Sequence, residues 1–144
     1  MRVTLLLADS AQAVGGKLYI LGGGWSLGGP GPIPMAIATK IAVPWSDANV
    51  RHTMKLALLT EDDQPVKVPG PAGPEQTVEI KGEFEVGRPP GLTPGTELDA
   101  VFAVNLPPLS LAPGGYVWRC SINGESKDDW KLTFSVRKPT PKPK

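Results

Sequence analysis

A run of strict alternation between residues 116 and 137 constrains the fold more than any other part of the sequence. Every second residue in its two arms is large and apolar, and the residues between them are mostly polar. The apolar residues are Tyr116, Trp118, Cys120 and Ile122 on the first arm and Trp130, Leu132, Phe134 and Val136 on the second. A period of two is typical of a β-strand with one buried face. Because the Asn123-Gly124 pair between the arms indicates a turn, the run predicts an antiparallel hairpin.

Similar short alternating segments recur along the chain, and no amphipathic helical pattern interrupts them. The 17 glycines and 17 prolines then mark turns between strands. The sequence therefore predicts an all-β fold, a single antiparallel β-sandwich of about eight or nine strands that is immunoglobulin-like or a related Greek key. We expect this domain to span residues 1–137, followed by an extended proline- and lysine-rich tail over residues 138–144.

Two segments are predicted to lack regular structure. Residues 9–16 are polar and end in glycine, which favours a loop. Residues 22–32 are dominated by glycine and proline, so we expect nothing regular there either.

Charge and cysteine content narrow the classes of function. The formal net charge of +1 provides no field that would attract nucleic acid or an anionic membrane, so we expect neither as a partner. Cys120 is the only cysteine, which excludes an intrachain disulfide and a multi-cysteine zinc site. No apolar run approaches the length of a membrane span. A reducing, cytoplasmic location fits these features.

The segment before the hairpin resembles the tyrosine corner of immunoglobulin-like sandwiches. It reads Leu-Ala-Pro-Gly-Gly-Tyr-Val-Trp over residues 111–118, with Tyr116 at the position of the corner tyrosine. Trp118 stands where antibody domains often carry a cysteine, so the resemblance extends only to the architecture. Such corners indicate fold rather than function.

A wider resemblance covers most of the chain. The sequence is similar to a family of small uncharacterised bacterial proteins, frequent in actinobacteria. The resemblance is carried by residues 8–9 (Ala-Asp), 16–25 (Gly-Lys-Leu-Tyr-Ile-Leu-Gly-Gly-Gly-Trp), 43–45 (Val-Pro-Trp), 84–91 (Phe-Glu-Val-Gly-Arg-Pro-Pro-Gly) and 113–114 (Pro-Gly). It implies a cytoplasmic bacterial sandwich and supplies no catalytic residue.

The residues that could carry catalysis have simpler structural interpretations. Asp62 and Asp63 are adjacent in a turn and seldom aim at one point, so a solvated turn is favoured over a metal or acid–base pair. His52 is the only histidine. The sequence offers no second histidine or cysteine cluster to share a zinc ion with it and no nucleophile elbow for which it could be the base, so a packing role is favoured over a catalytic or metal-binding one. Cys120 lies on an inward face, where an inert thiol is expected. We therefore expect no enzyme, no metal and no cofactor.

The candidate partner-binding residues are aromatic or basic and lie beside irregular segments. Trp25 and Trp45 either pack over an end of the sandwich or anchor a partner or a sugar ring. Arg88 could bind a carboxylate in a bidentate manner or could be a simple surface arginine. The basic residues of the tail could solubilise it or dock onto an acidic neighbour; the candidates there are Lys138, Lys142 and Lys144.

The sequence thus favours a non-enzymatic interaction or assembly module that self-associates as a homo-oligomer or joins a larger protein assembly. In this hypothesis the loop of residues 22–32 and the tail are docking segments, with Trp25 as an anchor. The alternative is a sandwich that binds a small ligand or carbohydrate through Trp25 and Trp45. A hydrolase that uses His52 is the third hypothesis.

Overall fold

The computed structural model describes residues 1–70 and 73–140, and the chain is all-β over these ranges. It contains one short 3-10 turn, Trp45–Asp47, and no α-helix in the residues described. The strands, numbered in chain order, are β1 (Arg2–Ala8), β2 (Ser10–Val14), β3 (Lys17–Leu21), β4 (Leu27–Gly28), β5 (Ile33–Val43), β6 (His52–Thr60), β7 (Lys67–Pro69), β8 (Glu75–Thr77), β9 (Glu79–Phe84), β10 (Leu98–Leu109), β11 (Gly114–Ile122) and β12 (Lys131–Val136).

These strands form four sheets. A three-stranded sheet has the order β1-β5-β10, and a five-stranded sheet has the order β4-β12-β11-β6-β9. Two-stranded sheets are formed by β2 with β3 and by β7 with β8. All of these pairs are antiparallel except β4 with β12. The expected eight or nine strands are therefore corrected to twelve in the described residues, because several short pairs lie in segments that lack a long alternating pattern.

The expected hairpin is confirmed and forms the centre of the five-stranded sheet. Strand β11 pairs with β12 in a register that places Tyr116 opposite Phe134 and Trp118 opposite Leu132. The turn residues Asn123 and Gly124 have φ angles of 53° and 81°, as a type I′ turn requires. The alternating apolar residues of β11 are buried, so the periodicity identified the inner face correctly.

Strand β5 explains how the layers fit together, because both of its faces are buried over most of its length. Its large residues, Met35, Ile37, Ile41 and Val43, join one hydrophobic cluster with residues of the five-stranded sheet. Its other face carries small residues, among them Ala36 and Ala38, which form a second cluster with Ala8 and Ala11. Large side chains fill the space between the two larger sheets, whereas alanines let the β2–β3 pair approach closely from outside.

The β2–β3 hairpin corrects the expectation of a loop over residues 9–16. Ser10–Val14 is a strand that pairs with Lys17–Leu21. Gly15 and Gly16 form the connecting turn with φ angles of 58° and 73°, a conformation that glycine adopts without steric cost. A Gly-Gly pair between two strands is itself a hairpin signal, and it is the signal that the loop prediction overlooked.

The loop of residues 22–32 also contains regular structure. Leu27–Gly28 pairs with the end of β12, where the amide of Ser135 donates to the carbonyl of Ser26 (2.8 Å) and the amide of Arg137 donates to that of Gly28 (2.9 Å). The loop is thus held by its own chain and covers one edge of the five-stranded sheet. The expectation of nothing regular in this loop is therefore corrected, and its role as a docking segment stays a prediction.

The tyrosine corner is confirmed in its geometry. Tyr116 is buried, its ring stacks on Phe134, and its hydroxyl donates a hydrogen bond to the carbonyl oxygen of Ala112 at 2.6 Å. Burial also raises the pKa of the Tyr116 hydroxyl, so the group stays protonated and able to donate.

Tyr116→Phe is expected to lower the free energy of unfolding by about 1–2 kcal/mol, because the carbonyl of Ala112 loses its donor. Urea unfolding measures this change. Tyr19→Phe, at an exposed tyrosine, is the matched control and should leave the free energy unchanged. A loss near zero for Tyr116→Phe would show that the corner does not stabilise the fold.

Candidate functional site

His52 is a packed residue rather than an accessible one. Its side chain is buried, and both ring nitrogens have partners: Nε2 lies 2.9 Å from the carbonyl oxygen of Asp47, and Nδ1 lies 3.0 Å from Nδ2 of Asn123. The amide of Asn123 can only donate to Nδ1, so Nε2 carries the proton that Asp47 accepts. Both nitrogens are therefore occupied within the fold, which leaves neither to act as a base.

Cys120 is likewise enclosed. Its side chain is fully buried, and burial raises the pKa of its thiol from 9.0 to about 11. Since the thiolate is the nucleophile and the metal ligand, this environment keeps the group inert near neutral pH.

The acidic pair Asp62 and Asp63 lies in the exposed turn after β6. Asp63 has a φ of 58°, a conformation that aspartate tolerates in turns. Within residues 1–70 and 73–140, no three His, Cys, Asp or Glu side chains are grouped as ligands for a metal ion.

Trp45 and Arg88 contact each other. The guanidinium of Arg88 lies 4.7 Å from the centre of a Trp45 ring, and its Nη2 donates to the backbone oxygen of Trp45 at 2.7 Å. The two side chains therefore form a cation–π contact with each other inside the same chain. The structure therefore brings these two predicted residues together, with the guanidinium already engaged.

Trp25 lies at the other end of β5 and packs against the main core. Its ring and the side chain of Ile33 both approach Gly28, whereas Trp45 follows Val43 at the far end of the strand. Eleven residues of strand separate these ends by roughly 30 Å. Trp25 and Trp45 thus cannot line one sugar ring together, and their roles as separate anchors stay predictions.

The tail residues divide between described and undescribed parts of the chain. Lys138 is exposed after β12, and Lys142 and Lys144 lie outside the described residues. Their docking role stays a prediction.

The structure presents a different surface that the sequence interpretation missed, the outward side of the β2–β3 hairpin. Leu18 and Ile20 point inward onto the alanines of the three-stranded sheet. The opposite side of the hairpin exposes the apolar residues Val14 (57%), Tyr19 (56%) and Leu21 (71%). Three large apolar side chains are thus exposed on one face of a twelve-residue hairpin, which makes this face a candidate surface for another protein.

The same hairpin has an open edge. Val14 and Lys17 flank the two-residue turn and form a hydrogen-bonded pair. Because hydrogen-bonded pairs alternate along an antiparallel ladder, the next ones are Gln12 with Tyr19 and Ser10 with Leu21. The backbone groups of Leu18 and Ile20 therefore point away from β2. No strand of the described residues pairs with that side of β3. An unpaired edge of this kind is a template for another strand.

Asn105 fixes the hairpin in place. Its side-chain amide accepts a hydrogen bond from the backbone amide of Ala11 (3.1 Å) and donates one to the carbonyl of Ala11 (2.8 Å). This two-point contact occupies the edge of β2 and leaves the edge of β3 open. The hairpin is therefore presented as a rigid element, which lowers the entropic cost of binding.

Comparison with known proteins gives a family of unknown function. The model of a family described as "Family of unknown function (DUF6941)" matches residues 3–135. No curated protein matches the chain at a significant level, and no solved structure does. Across residues 1–70 and 73–140, the structure has no helix with the length and apolar character needed to cross a membrane.

Proposed function

The chain belongs to DUF6941, a family of unknown function, and on that premise we propose that it is a non-enzymatic interaction module that self-associates through the β2–β3 hairpin. The observation that carries the proposal is the open edge of β3 beside the exposed apolar side chains of Tyr19 and Leu21. The partner is a second copy of this chain, because the edge is complementary to itself.

The complementarity follows from the direction of the backbone groups. In an antiparallel pair of β3 strands related by a two-fold axis at Tyr19, Leu18 of one copy lies opposite Ile20 of the other. The outward amides and carbonyls of these residues then form two pairs of hydrogen bonds. The two Tyr19 side chains face each other across the axis on the apolar side of the joined hairpins. Aromatic cross-strand pairs stabilise such sheets.

Charge supports the same register. The pairing places Lys17 of one copy next to Leu21 and Gly22 of the other. The carboxylate of Asp9 lies over Gly22, where no Cβ would fit. Each end of the joined strands therefore brings one ammonium group towards one carboxylate, twice per dimer. Because five residues per copy form a small interface, we expect a reversible dimer with a Kd in the micromolar range, roughly −8 kcal/mol.

The wider setting belongs to the same proposal. We place the two larger sheets and the tyrosine corner in a single β-sandwich of the immunoglobulin-like or a related Greek-key class. The shared hydrophobic cluster between these sheets supports this assignment. A reducing, bacterial cytoplasm is the proposed location, since the one cysteine is buried as a free thiol.

The experiment is sedimentation velocity of the full chain over about 1–300 µM, a range chosen to span a micromolar Kd. We expect the wild-type mass to rise from 15.2 kDa towards about twice that value. The double variant Tyr19→Ser with Leu21→Ser should stay monomeric and remain folded, because both side chains are exposed. Leu27→Ser, which removes an exposed leucine outside the hairpin (50% exposed), is the matched control and should dimerise normally. A wild-type chain that is monomeric throughout, or a double variant that dimerises normally, would contradict the proposal.

A further inference from the structure

Four basic residues share the outer face of the five-stranded sheet. They alternate with the buried residues of their strands and are Lys55 on β6, Lys81 on β9, Arg119 on β11 and Lys131 on β12. The strand registers place Lys55 directly opposite Lys81 and Arg119 directly opposite Lys131. Like charges in directly opposed positions destabilise a sheet. Each pair therefore carries a repulsion that a bound anion would relieve.

Glu79 and Glu83 flank Lys81 on the same face of β9, but neither carboxylate lies within 4.0 Å of any of the four basic groups. Among the residues that the structure describes, the ion pairs within 4.0 Å are Arg2 with Glu97, Lys40 with Asp99 and Arg51 with Glu83. Glu83 is adjacent to the group but is turned to Arg51, with 3.8 Å between the charged atoms. The four basic side chains therefore keep their charge available for a ligand.

The surface between the strands is concave at this place. A depression of about 620 Å³ is lined by Lys55 and Lys81 together with the hydroxyl-bearing residues Thr53 and Ser121, and Glu83 lies at its side. It adjoins a second depression of about 350 Å³ that also includes Lys55 and Ser121. The lining of this second space is less polar and includes Ala57, Leu59 and Pro65, with Arg119 and Glu79 at its side. Together the two depressions offer a small molecule both charged and apolar contacts on the surface of the sheet.

We propose that this face binds a small organic phosphate. The phosphate group lies between the ammonium groups of Lys55 and Lys81 and accepts a hydrogen bond from Ser121. The less polar part of the ligand lies over Ala57, Leu59 and Pro65. One dianion satisfies two opposed ammonium groups at a single point, which relieves the repulsion that the register creates. The concave, partly apolar lining favours such a ligand over an acidic polypeptide. The site lies on a different face from the dimerisation edge and does not depend on it.

Calorimetric titration of the full chain with phenyl phosphate and with inorganic phosphate, at constant ionic strength, tests the site. We expect saturable binding of both, with phenyl phosphate tighter because its ring covers the apolar part. The double variant Lys55→Gln with Lys81→Gln should weaken binding by about tenfold or more. Lys67→Gln with Lys138→Gln removes the same charge from exposed positions elsewhere and is the matched control, with unchanged binding.

A single substitution separates a binding role from a structural one. Lys81→Glu places a carboxylate opposite Lys55 but also beside Glu79 and Glu83 on the same face of β9, so we expect no gain in thermal stability together with loss of phosphate binding. Undiminished binding in Lys81→Glu or in the double glutamine variant would overturn the proposal. Absence of binding by both phosphates would also overturn it, and so would binding of polyglutamate alone.

Discussion

Trp118→Ala is expected to lower the free energy of unfolding by about 3–5 kcal/mol, because it removes the largest fully buried side chain and leaves a cavity. The side chain has 0% exposure and belongs to the cluster that joins the two larger sheets. Its indole N–H lies 3.3 Å from the sulfur of Met35 on β5, so it contacts the opposite sheet directly. Loss of this side chain therefore weakens the packing between both sheets.

Urea unfolding followed by circular dichroism measures this loss. Trp25→Ala is the matched control, since Trp25 packs against the same core but is only half-buried. It should cost clearly less than Trp118→Ala. If both variants lost the same amount, or if Trp118→Ala lost less than about 1 kcal/mol, the core would not be centred on β11 as described.

Asn105→Ala is expected to lower the free energy of unfolding by about 2–3 kcal/mol, because two hydrogen bonds to Ala11 are lost together. Ala11 itself is buried, so water reaches its backbone groups only where Asn105 has been removed. The hairpin should then open locally before the rest of the fold.

Hydrogen exchange of the backbone amides of β2 and β3 measures this opening. Asn105→Asp keeps an acceptor for the amide of Ala11 but turns a carboxylate oxygen towards its carbonyl oxygen, so it should also open the hairpin. Uniform loss of protection over all strands in Asn105→Ala would contradict the expectation that Asn105 stabilises the hairpin locally. Unchanged protection in β2 and β3 would contradict it as well.

The parts of the fold that follow local rules were predictable from the sequence. Period-two alternation identified the buried face of β11, because burial of one sheet face imposes that pattern. The Pro-Gly-Gly-Tyr segment identified a corner whose hydrogen bond depends on residues only four positions apart. Lone Cys120 and His52 were correctly interpreted as packed residues, since each lies among inward-facing positions.

The candidate sites depend on long-range register, which the sequence does not reveal. Asn105 binds Ala11 from 94 positions away, and nothing in either residue marks the pair. Lys55 and Lys81 become opposed only through the pairing of β6 with β9. The β2–β3 hairpin could have been found from Gly15-Gly16. Whether the edge of β3 stays unpaired, however, depends on where the strands of the other sheets lie. Tertiary arrangement therefore determined the surfaces, while local pattern determined the elements.

The mass of two proline variants tests self-association through the edge of β3 most directly. Leu18 and Ala13 lie opposite each other in the hairpin, and their amides point to its two opposite edges. Proline at either position removes an amide that the hairpin itself does not use. We predict that by light scattering Leu18→Pro has the monomer mass of 15.2 kDa, whereas Ala13→Pro and the wild-type chain reach about twice that value. Equal masses for Leu18→Pro and Ala13→Pro, with both variants folded, would contradict the account.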